Sequence, residues 1–100
     1  MVLVAQLPGG ELAGFTHVFT AQRLVSDPFA ELGSLVVEKR MFGTGIGTQL
    51  LKTAEDWALV QGLQEMQIRS NTLRSAAREF YLHIGYALSK TQNIFLKRLT

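Results

Sequence analysis

Hydrophobic residues along this chain follow a two-residue period in some stretches and a 3.6-residue period in others. Short apolar or alternating stretches, several of them rich in β-branched residues, predict strands over residues 2–7, 12–25, 30–37, 63–69, 86–88 and 94–99. Two longer stretches carry apolar residues every three or four positions and predict helices. One begins at the glycine-rich segment 43–47 and ends before Gly62, and the other covers residues 74–84. The predicted order of elements is β-β-β-α-β-α-β-β.

The first predicted helix has the most regular pattern. Its apolar residues are Ile46, Leu50, Leu51, Ala54, Trp57 and Ala58. This spacing places them on one face of a helix, so that Lys52, Glu55 and Asp56 are expected to face solvent. In the second predicted strand the alternation breaks between Phe15 and Phe19, which indicates a β-bulge.

Composition limits the class of protein. One hundred residues suffice for a single domain, residues 1–100. Hydrophobic residues make up 47% and charged residues 18%, which is typical of a globular rather than a disordered chain. The sequence has no cysteine, which excludes disulfides and Cys-ligated metal sites, and we expect no metal.

The distribution of charge and hydropathy argues against two classes of partner. The net charge of +2 comes from scattered cations, whereas a nucleic-acid-binding protein usually has a basic stripe. No apolar run approaches the roughly twenty residues of a membrane helix, and the chain does not open with a basic and then an apolar region. We therefore expect neither nucleic acid nor membrane as a partner, and a cytoplasmic location.

A glycine-rich segment between a strand and a helix is the clearest functional feature. The apolar residues 35–37 are followed by Gly43, Gly45 and Gly47, and the first helix opens from that loop. The start of a helix has backbone N–H groups without intrahelical partners and a partial positive charge. Glycines allow an anion to approach such groups closely, so the pattern predicts a phosphate-binding loop.

The spacing excludes two common phosphate loops. A Walker loop has Lys and then Ser or Thr after its last glycine, but Gly47 is followed by Thr48 and Gln49. A dinucleotide-binding loop has the spacing G-x-G-x-x-G and an acidic residue at the end of a second strand about twenty positions later. Here the glycines are spaced Gly43-x-Gly45-x-Gly47, and the next predicted strand, residues 63–69, does not end in an acidic residue.

A third pattern, Arg/Gln-x-x-Gly-x-Gly, is matched by Arg40-Met41-Phe42-Gly43-Thr44-Gly45. This segment resembles the pyrophosphate loop of the GNAT superfamily of N-acetyltransferases. Residues 74–86, Arg-Ser-Ala-Ala-Arg-Glu-Phe-Tyr-Leu-His-Ile-Gly-Tyr, resemble a later motif of the same family. The two motifs occur in the family's order, and the resemblance covers residues 30–99 well and residues 2–29 more loosely.

The resemblance implies an α/β fold with a GNAT-like mixed central sheet and helices packed on it. Family members usually open with a strand and one or two helices that this sequence, which starts at Met1, is expected to lack. The chain would then be a short member, a truncated product or a fragment. Because those helices help to wall the acceptor site in the family, a non-catalytic CoA-binding module of the same fold remains an alternative.

The resemblance also assigns acetyl-CoA as co-substrate and gives its binding residues. The strand backbone that would pair with the pantetheine arm is Leu35, Val36 and Val37, and the Val37 N–H would also polarise the thioester carbonyl. The backbone N–H groups that would hold the pyrophosphate belong to Phe42, Gly43, Thr44, Gly45, Ile46, Gly47 and Thr48. Arg40 would add positive charge or simply be solvated, and Asn71 and Arg74 would reach the cofactor.

Two residues are candidates for proton transfer. By resemblance, Tyr81 would protonate the leaving thiolate, which suits a phenol with a pKa near 10. Glu31 would act as base if burial in its strand raises its pKa, and Glu38 is a second candidate. The alternatives are a core aromatic for Tyr81 and a solvated carboxylate for Glu31.

The resulting hypothesis is an acetyl-CoA-dependent N-acetyltransferase that acts on a primary amine of a small molecule or a protein. An interaction domain whose glycine loop is only a turn is a further alternative, and the sequence does not identify the amine. Strand 2–7 is expected to lie at an exposed sheet edge, so we also expect a homodimer through that edge or through strand 94–99.

Overall fold

The computed structural model describes residues 1–22, 27–69, 75–88 and 94–100. The strands in these ranges are β1 (Val2–Gln6), β2 (Leu12–Ala21), β3 (Phe29–Val37), β4 (Glu65–Arg69), β5 (Ala87–Leu88) and β6 (Ile94–Arg98). The helices are α1 (Ile46–Val60), α2 (Ser75–His83) and a short 3₁₀ turn at Lys39–Met41. This order of strands and α-helices confirms the one that the hydrophobic pattern predicts.

The strands form a single six-stranded mixed sheet in the order β1-β2-β3-β4-β6-β5. β3 and β4 are parallel, and every other neighbouring pair is antiparallel. A parallel pair needs a crossover connection, and α1 supplies it between β3 and β4. The start of α1 therefore lies next to the end of β3, where the sequence predicts the phosphate loop.

Both helices pack on the same face of this sheet. Val18, Leu32 and Met66 from the sheet are at most 1% exposed and form the core together with Leu51 and Ala54 of α1. From the second helix and its end, Phe80, Tyr81 and Ile84 pack against that core. Burial of these apolar side chains is the main term that stabilises the sheet–helix arrangement.

The opposite face of the sheet carries large exposed apolar side chains. Phe15 pairs across strands with Val4 on one side and Val36 on the other, so the three side chains share this face. Their exposed fractions are 39%, 55% and 47%. Glu31 lies on the same face, because it alternates with the core residues of β3.

Three details differ from the sequence-based expectations. The bulge lies opposite His17 and Val18, but the extra residue is Gly33 on β3 rather than a residue of β2. The expectation that Glu55 faces solvent is wrong, because its side chain is only 14% exposed and accepts a hydrogen bond from Tyr86. Strand 94–99 is not an edge, since β6 lies between β4 and β5.

Candidate functional site

The described pairing between the parallel strands β3 and β4 stops well before the end of β3. The pairs run from Ala30 with Met66 to Leu32 with Ile68, whereas β3 continues to Val37. On its other side β3 stays paired with β2 as far as Val37. Within the described residues, positions 33–37 of β3 therefore present one free backbone edge toward the end of β4, and this edge can accept an extended ligand as an added strand.

A β-bulge in β3 lies directly after the last of these pairs. His17 pairs with Ser34 and Val18 pairs with Leu32, which leaves Gly33 as the extra residue. A bulge bends its strand and increases the local twist. A Cβ at position 33 would lie 3.1 Å from Phe19 Cε1 and 3.3 Å from His17 Nδ1, so a larger residue there would require these two side chains to shift.

The loop that follows β3 is held by its own hydrogen bonds. The Thr44 hydroxyl donates to the Met41 carbonyl at 2.6 Å, which closes the turn after the 3₁₀ segment. Gly43 and Gly45 have φ values of +80° and +89°, a left-handed backbone that other residues rarely adopt. A Cβ at either position would meet nothing within 4 Å, so these two glycines are required for backbone conformation and not for lack of space.

The start of α1 is an uncapped helix N-terminus. Gly45 is its N-cap residue, and within the described part of the chain no side chain makes the capping hydrogen bond and no acidic residue lies in the first turn. The first intrahelical bond runs from the Gln49 N–H to the Gly45 carbonyl at 3.0 Å. The N–H groups of Ile46, Gly47 and Thr48 therefore remain as donors at the positive end of a 15-residue helix. Such a helix end favours a bound phosphate.

Arg40, beside this loop, forms an ion pair with Glu11. Its guanidinium donates to Glu11 Oε2 at 2.5 Å, and the side chains are 54% and 64% exposed. The hydrogen bond and the charge of Glu11 raise the pKa of Arg40 above its usual value. The sequence left two roles open for Arg40, ligand binding or simple solvation. In the structure Arg40 instead forms an ion pair with Glu11 at the rim of the loop.

Among the described residues, Phe80 of α2 packs against the start of α1. A Cβ at Gly47 would lie 3.4 Å from Phe80 Cζ and 3.6 Å from Val37 Cγ2. The first turn of α1 is therefore packed between the end of β3 and Phe80 of α2. This contact brings the second predicted motif to the first, although 33 positions separate Gly47 from Phe80 in the sequence.

Tyr81 follows Phe80 and points toward the core side of the sheet. Its ring lies 5.1 Å from that of Phe95 and 6.3 Å from that of Tyr86, measured between centroids. Burial raises the pKa of the Tyr81 phenol above 10. The phenol therefore stays protonated in neutral solution and can act as a proton donor.

Glu31 lies on the other face of the sheet from Tyr81. It is half-buried and pairs across strands with Phe19 and Gln67. The structure does not bring the two candidate proton-transfer residues together on one face. Asn71 and Arg74 lie outside the described residues.

Sequence reasoning missed the residues that shape this site. Gly33 forms the bulge of β3, and a glycine inside a predicted strand was the signal for it. Glu11 neutralises Arg40 from 29 positions away, and no local pattern reveals such a contact.

Among the described residues, no three acidic or histidine side chains cluster to hold a metal ion. No helix in the described ranges is long and apolar enough to cross a membrane.

Comparison with known proteins gives a consistent family. The sequence model of the Acetyltransferase (GNAT) family matches residues 2–86. The chain is similar to the aminoalkylphosphonate N-acetyltransferase of Salmonella typhimurium, with 34% identity over 84 residues. That match covers 83% of this chain and 54% of the relative, so the chain spans about half the length of the curated relative.

Solved structures of low sequence identity share the fold. Nourseothricin acetyltransferase superimposes with a TM-score of 0.85 at 18% identity, over 99% of this chain and 65% of that one. A GNAT family N-acetyltransferase from Escherichia coli, solved in complex with CoA, gives a TM-score of 0.79 at 17% identity. That comparison covers 99% of this chain and 58% of the Escherichia coli chain.

Proposed function

The chain belongs to the GNAT family of acetyltransferases, and from this we propose that it transfers the acetyl group of acetyl-CoA to a primary amine. The observation that carries the proposal is the uncapped start of α1 beside the free edge of β3. A helix N-terminus suits a pyrophosphate, and a free strand edge suits the amide-bearing pantetheine arm. These two features adjoin, as a ligand with both groups requires.

The proposed binding contacts follow from this arrangement. The N–H groups at the start of α1 and in the loop before it would hold the pyrophosphate. The backbone of Leu35, Val36 and Val37 would pair with the pantetheine arm, since within the described residues β4 does not pair with that edge. Arg40 would contribute charge only as far as its ion pair with Glu11 allows.

The proposed chemistry is acyl transfer with two proton movements. Acetyl-CoA supplies the thioester whose C–S bond breaks as the C–N bond of the new amide forms. The Val37 N–H polarises the carbonyl, and Tyr81 gives its proton to the departing sulfur and regains one from solvent. Glu31 lies on the other face of the sheet from Tyr81, so it would accept the proton of the attacking amine through bridging water.

Direct binding tests the cofactor site. Calorimetry compares acetyl-CoA with acetyl-pantetheine, which has the same thioester but no pyrophosphate. We expect acetyl-CoA to bind at least about tenfold more tightly, because only it can use the helix N-terminus. Equal affinity for the two thioesters would contradict the proposed pyrophosphate site.

Thiol release from acetyl-CoA in the presence of amines tests the transfer reaction. The name of the Salmonella typhimurium relative makes aminoalkylphosphonates the first acceptors to assay, followed by other small amines and peptide amines. Amine-dependent release is expected with at least one of these classes. Binding without release for every class would favour a non-catalytic CoA-binding module, and absence of binding would favour an interaction domain.

Two further proposals concern assembly and location. β1 is an edge strand with Val2 and Val4 62% and 55% exposed, which supports a homodimer through that edge. β6 is interior, so the proposal rests on β1 alone. A cytoplasmic location is supported by a sequence without cysteine, which needs no oxidising compartment.

A further inference from the structure

Three polar side chains meet in the core between α1, β6 and the turn after α2. The Tyr86 hydroxyl donates a hydrogen bond to Glu55 Oε2 at 2.7 Å. The Lys97 ammonium lies 3.2 Å from both oxygens of Glu55. Tyr86 is 3% exposed, and the side chains of Glu55 and Lys97 are 14% and 30% exposed. We call these three residues the polar clamp.

The polar clamp holds the end of α2 in place. Lys97 Nζ also donates to the Ile84 carbonyl at 3.2 Å, one residue beyond the helix. Gly85 has a φ of +102°, and a Cβ there would lie 3.4 Å from Lys97 Cε, so the lysine stem crosses directly over this residue. One ammonium group therefore links the C-terminal end of α2 to a carboxylate of α1, and a cation at that end of a helix is favourable.

α2 depends on such contacts for its position. It has nine residues, and an isolated helix of that length is marginal in water. Its described contacts with the core come through Phe80 and Tyr81, with Ile84 just past its end. The Tyr81 ring packs against the ring of Tyr86, and the Tyr86 hydroxyl donates a hydrogen bond to Glu55. A displacement of Tyr86 would therefore move the surface on which Tyr81 rests.

We propose that Glu55 is a positioning residue, which acts through Tyr86 and Lys97 to fix α2 and thereby the Tyr81 phenol. Its catalytic consequence rests on the proposed function, because it requires Tyr81 to be the proton donor. Its structural part, that the polar clamp sets the environment of the Tyr81 ring, stands independently. Glu55 lies on α1, whose N-terminus forms part of the phosphate loop. The same helix would therefore contribute to phosphate binding and fix the position of Tyr81.

The test uses variants of the full chain that differ in which part of the polar clamp they remove. Tyr86→Phe keeps the ring and removes only the hydroxyl, and Glu55→Ala removes the carboxylate. Glu55→Gln keeps an acceptor for Tyr86 and serves as the conservative rescue. Asp56→Ala is the matched control, because Asp56 is the next residue of α1 and its side chain is 60% exposed.

Kinetics provide the first measurement. We expect Tyr86→Phe and Glu55→Ala to lower kcat about ten- to a hundred-fold, the effect of a misplaced catalytic group, with less than about a twofold change in acetyl-CoA affinity. Glu55→Gln should recover most of the loss, and Asp56→Ala should show none. In a Tyr81→Phe background, Tyr86→Phe should not lower kcat further, because both substitutions remove the same contribution of the Tyr81 hydroxyl to catalysis. Additive effects, or an equal loss of cofactor affinity, would overturn the proposal.

Aromatic NMR signals provide a second measurement that needs no turnover. The sequence has two tyrosines, so in Tyr86→Phe the remaining tyrosine signal belongs to Tyr81. We expect its ring signals to shift or broaden in Tyr86→Phe and Glu55→Ala and to stay unchanged in Asp56→Ala. Unchanged signals in all variants would overturn the polar clamp. Absence of turnover in the unsubstituted chain would instead refute the proposed function and leave this measurement valid.

Discussion

Leu32 forms the last pair between β3 and β4, and the next residue, Gly33, is the extra residue of a β-bulge. The last described pair between the parallel strands therefore comes directly before the bend in the backbone of β3. Within the described residues, the unpaired backbone edge of β3 runs from this bulge to the phosphate loop. We therefore expect the site to depend on a glycine that lies outside both sequence motifs.

Replacement of Gly33 by valine tests the role of the bulge. The new side chain would crowd Phe19 and His17, so we expect a loss of about 1–3 kcal/mol of unfolding free energy together with weaker acetyl-CoA binding. Urea unfolding and calorimetry measure the two effects. Gly9→Val is the control, because a Cβ at that position would meet nothing within 4 Å. A Gly33→Val protein with unchanged stability and affinity would show that the bulge is dispensable.

Replacement of Tyr81 by phenylalanine tests the proposed acid. We expect kcat to fall by roughly ten- to a thousand-fold, as for loss of a general acid, while cofactor affinity barely changes. Burial raises the pKa of Tyr81 above its usual value of about 10, so the phenol stays protonated below that pH. Deprotonation of Tyr81 should therefore not lower kcat as the pH rises toward about 10. A Tyr81→Phe variant with unchanged kcat would remove the residue from the mechanism, and an equal loss of affinity and stability would mark it as a core residue.

Replacement of Glu11 by glutamine tests the electrostatics of the loop rim. Glu11 neutralises Arg40 in the structure, so the substitution should release the guanidinium for a phosphate. We expect acetyl-CoA to bind about two- to fivefold more tightly at low ionic strength, with the gain reduced by salt because the ion pair is exposed. Asp56→Asn also removes one exposed carboxylate and is the control. Affinity that stays the same in Glu11→Gln would mean that Arg40 does not contact the cofactor.

The proposed homodimer is tested at the edge strand. A lysine at Val4 would place charge beside an exposed edge, which natural sheets use to prevent strand pairing. We expect the unsubstituted chain to sediment as a dimer at tens of micromolar and Val4→Lys as a monomer. Gln6→Lys adds the same charge on the same strand and face nearer its end, and should weaken the dimer less. A monomer at that concentration, with stability independent of dilution, would rule the dimer out.

The parts of the structure that follow from local sequence were predictable. The hydrophobic period and Gly62 set α1, and the glycine spacing located the loop before it, because helix ends and turns depend on nearby residues. Contacts between distant segments were not predictable. Glu55 has the spacing of a solvent-facing residue on its helix, yet Tyr86 and Lys97 approach it from 31 and 42 positions away. The ion pair of Arg40 and the extra residue on β3 likewise depend on strand register, which no local pattern contains.

The proposed function requires that the loop ending at Gly45 hold the pyrophosphate of acetyl-CoA. Gly45 and Gly62 both have a positive φ, +89° and +81°, and a Cβ at either would meet nothing within 4 Å. They lie at opposite ends of α1, so valine at each strains the backbone alike and only one touches the proposed site. Calorimetry of folded Gly45→Val and Gly62→Val with acetyl-CoA therefore separates strain from binding. We expect only Gly45→Val to lose binding free energy, by about 2 kcal/mol or more. Equal affinity of the two variants would contradict a pyrophosphate site at this loop.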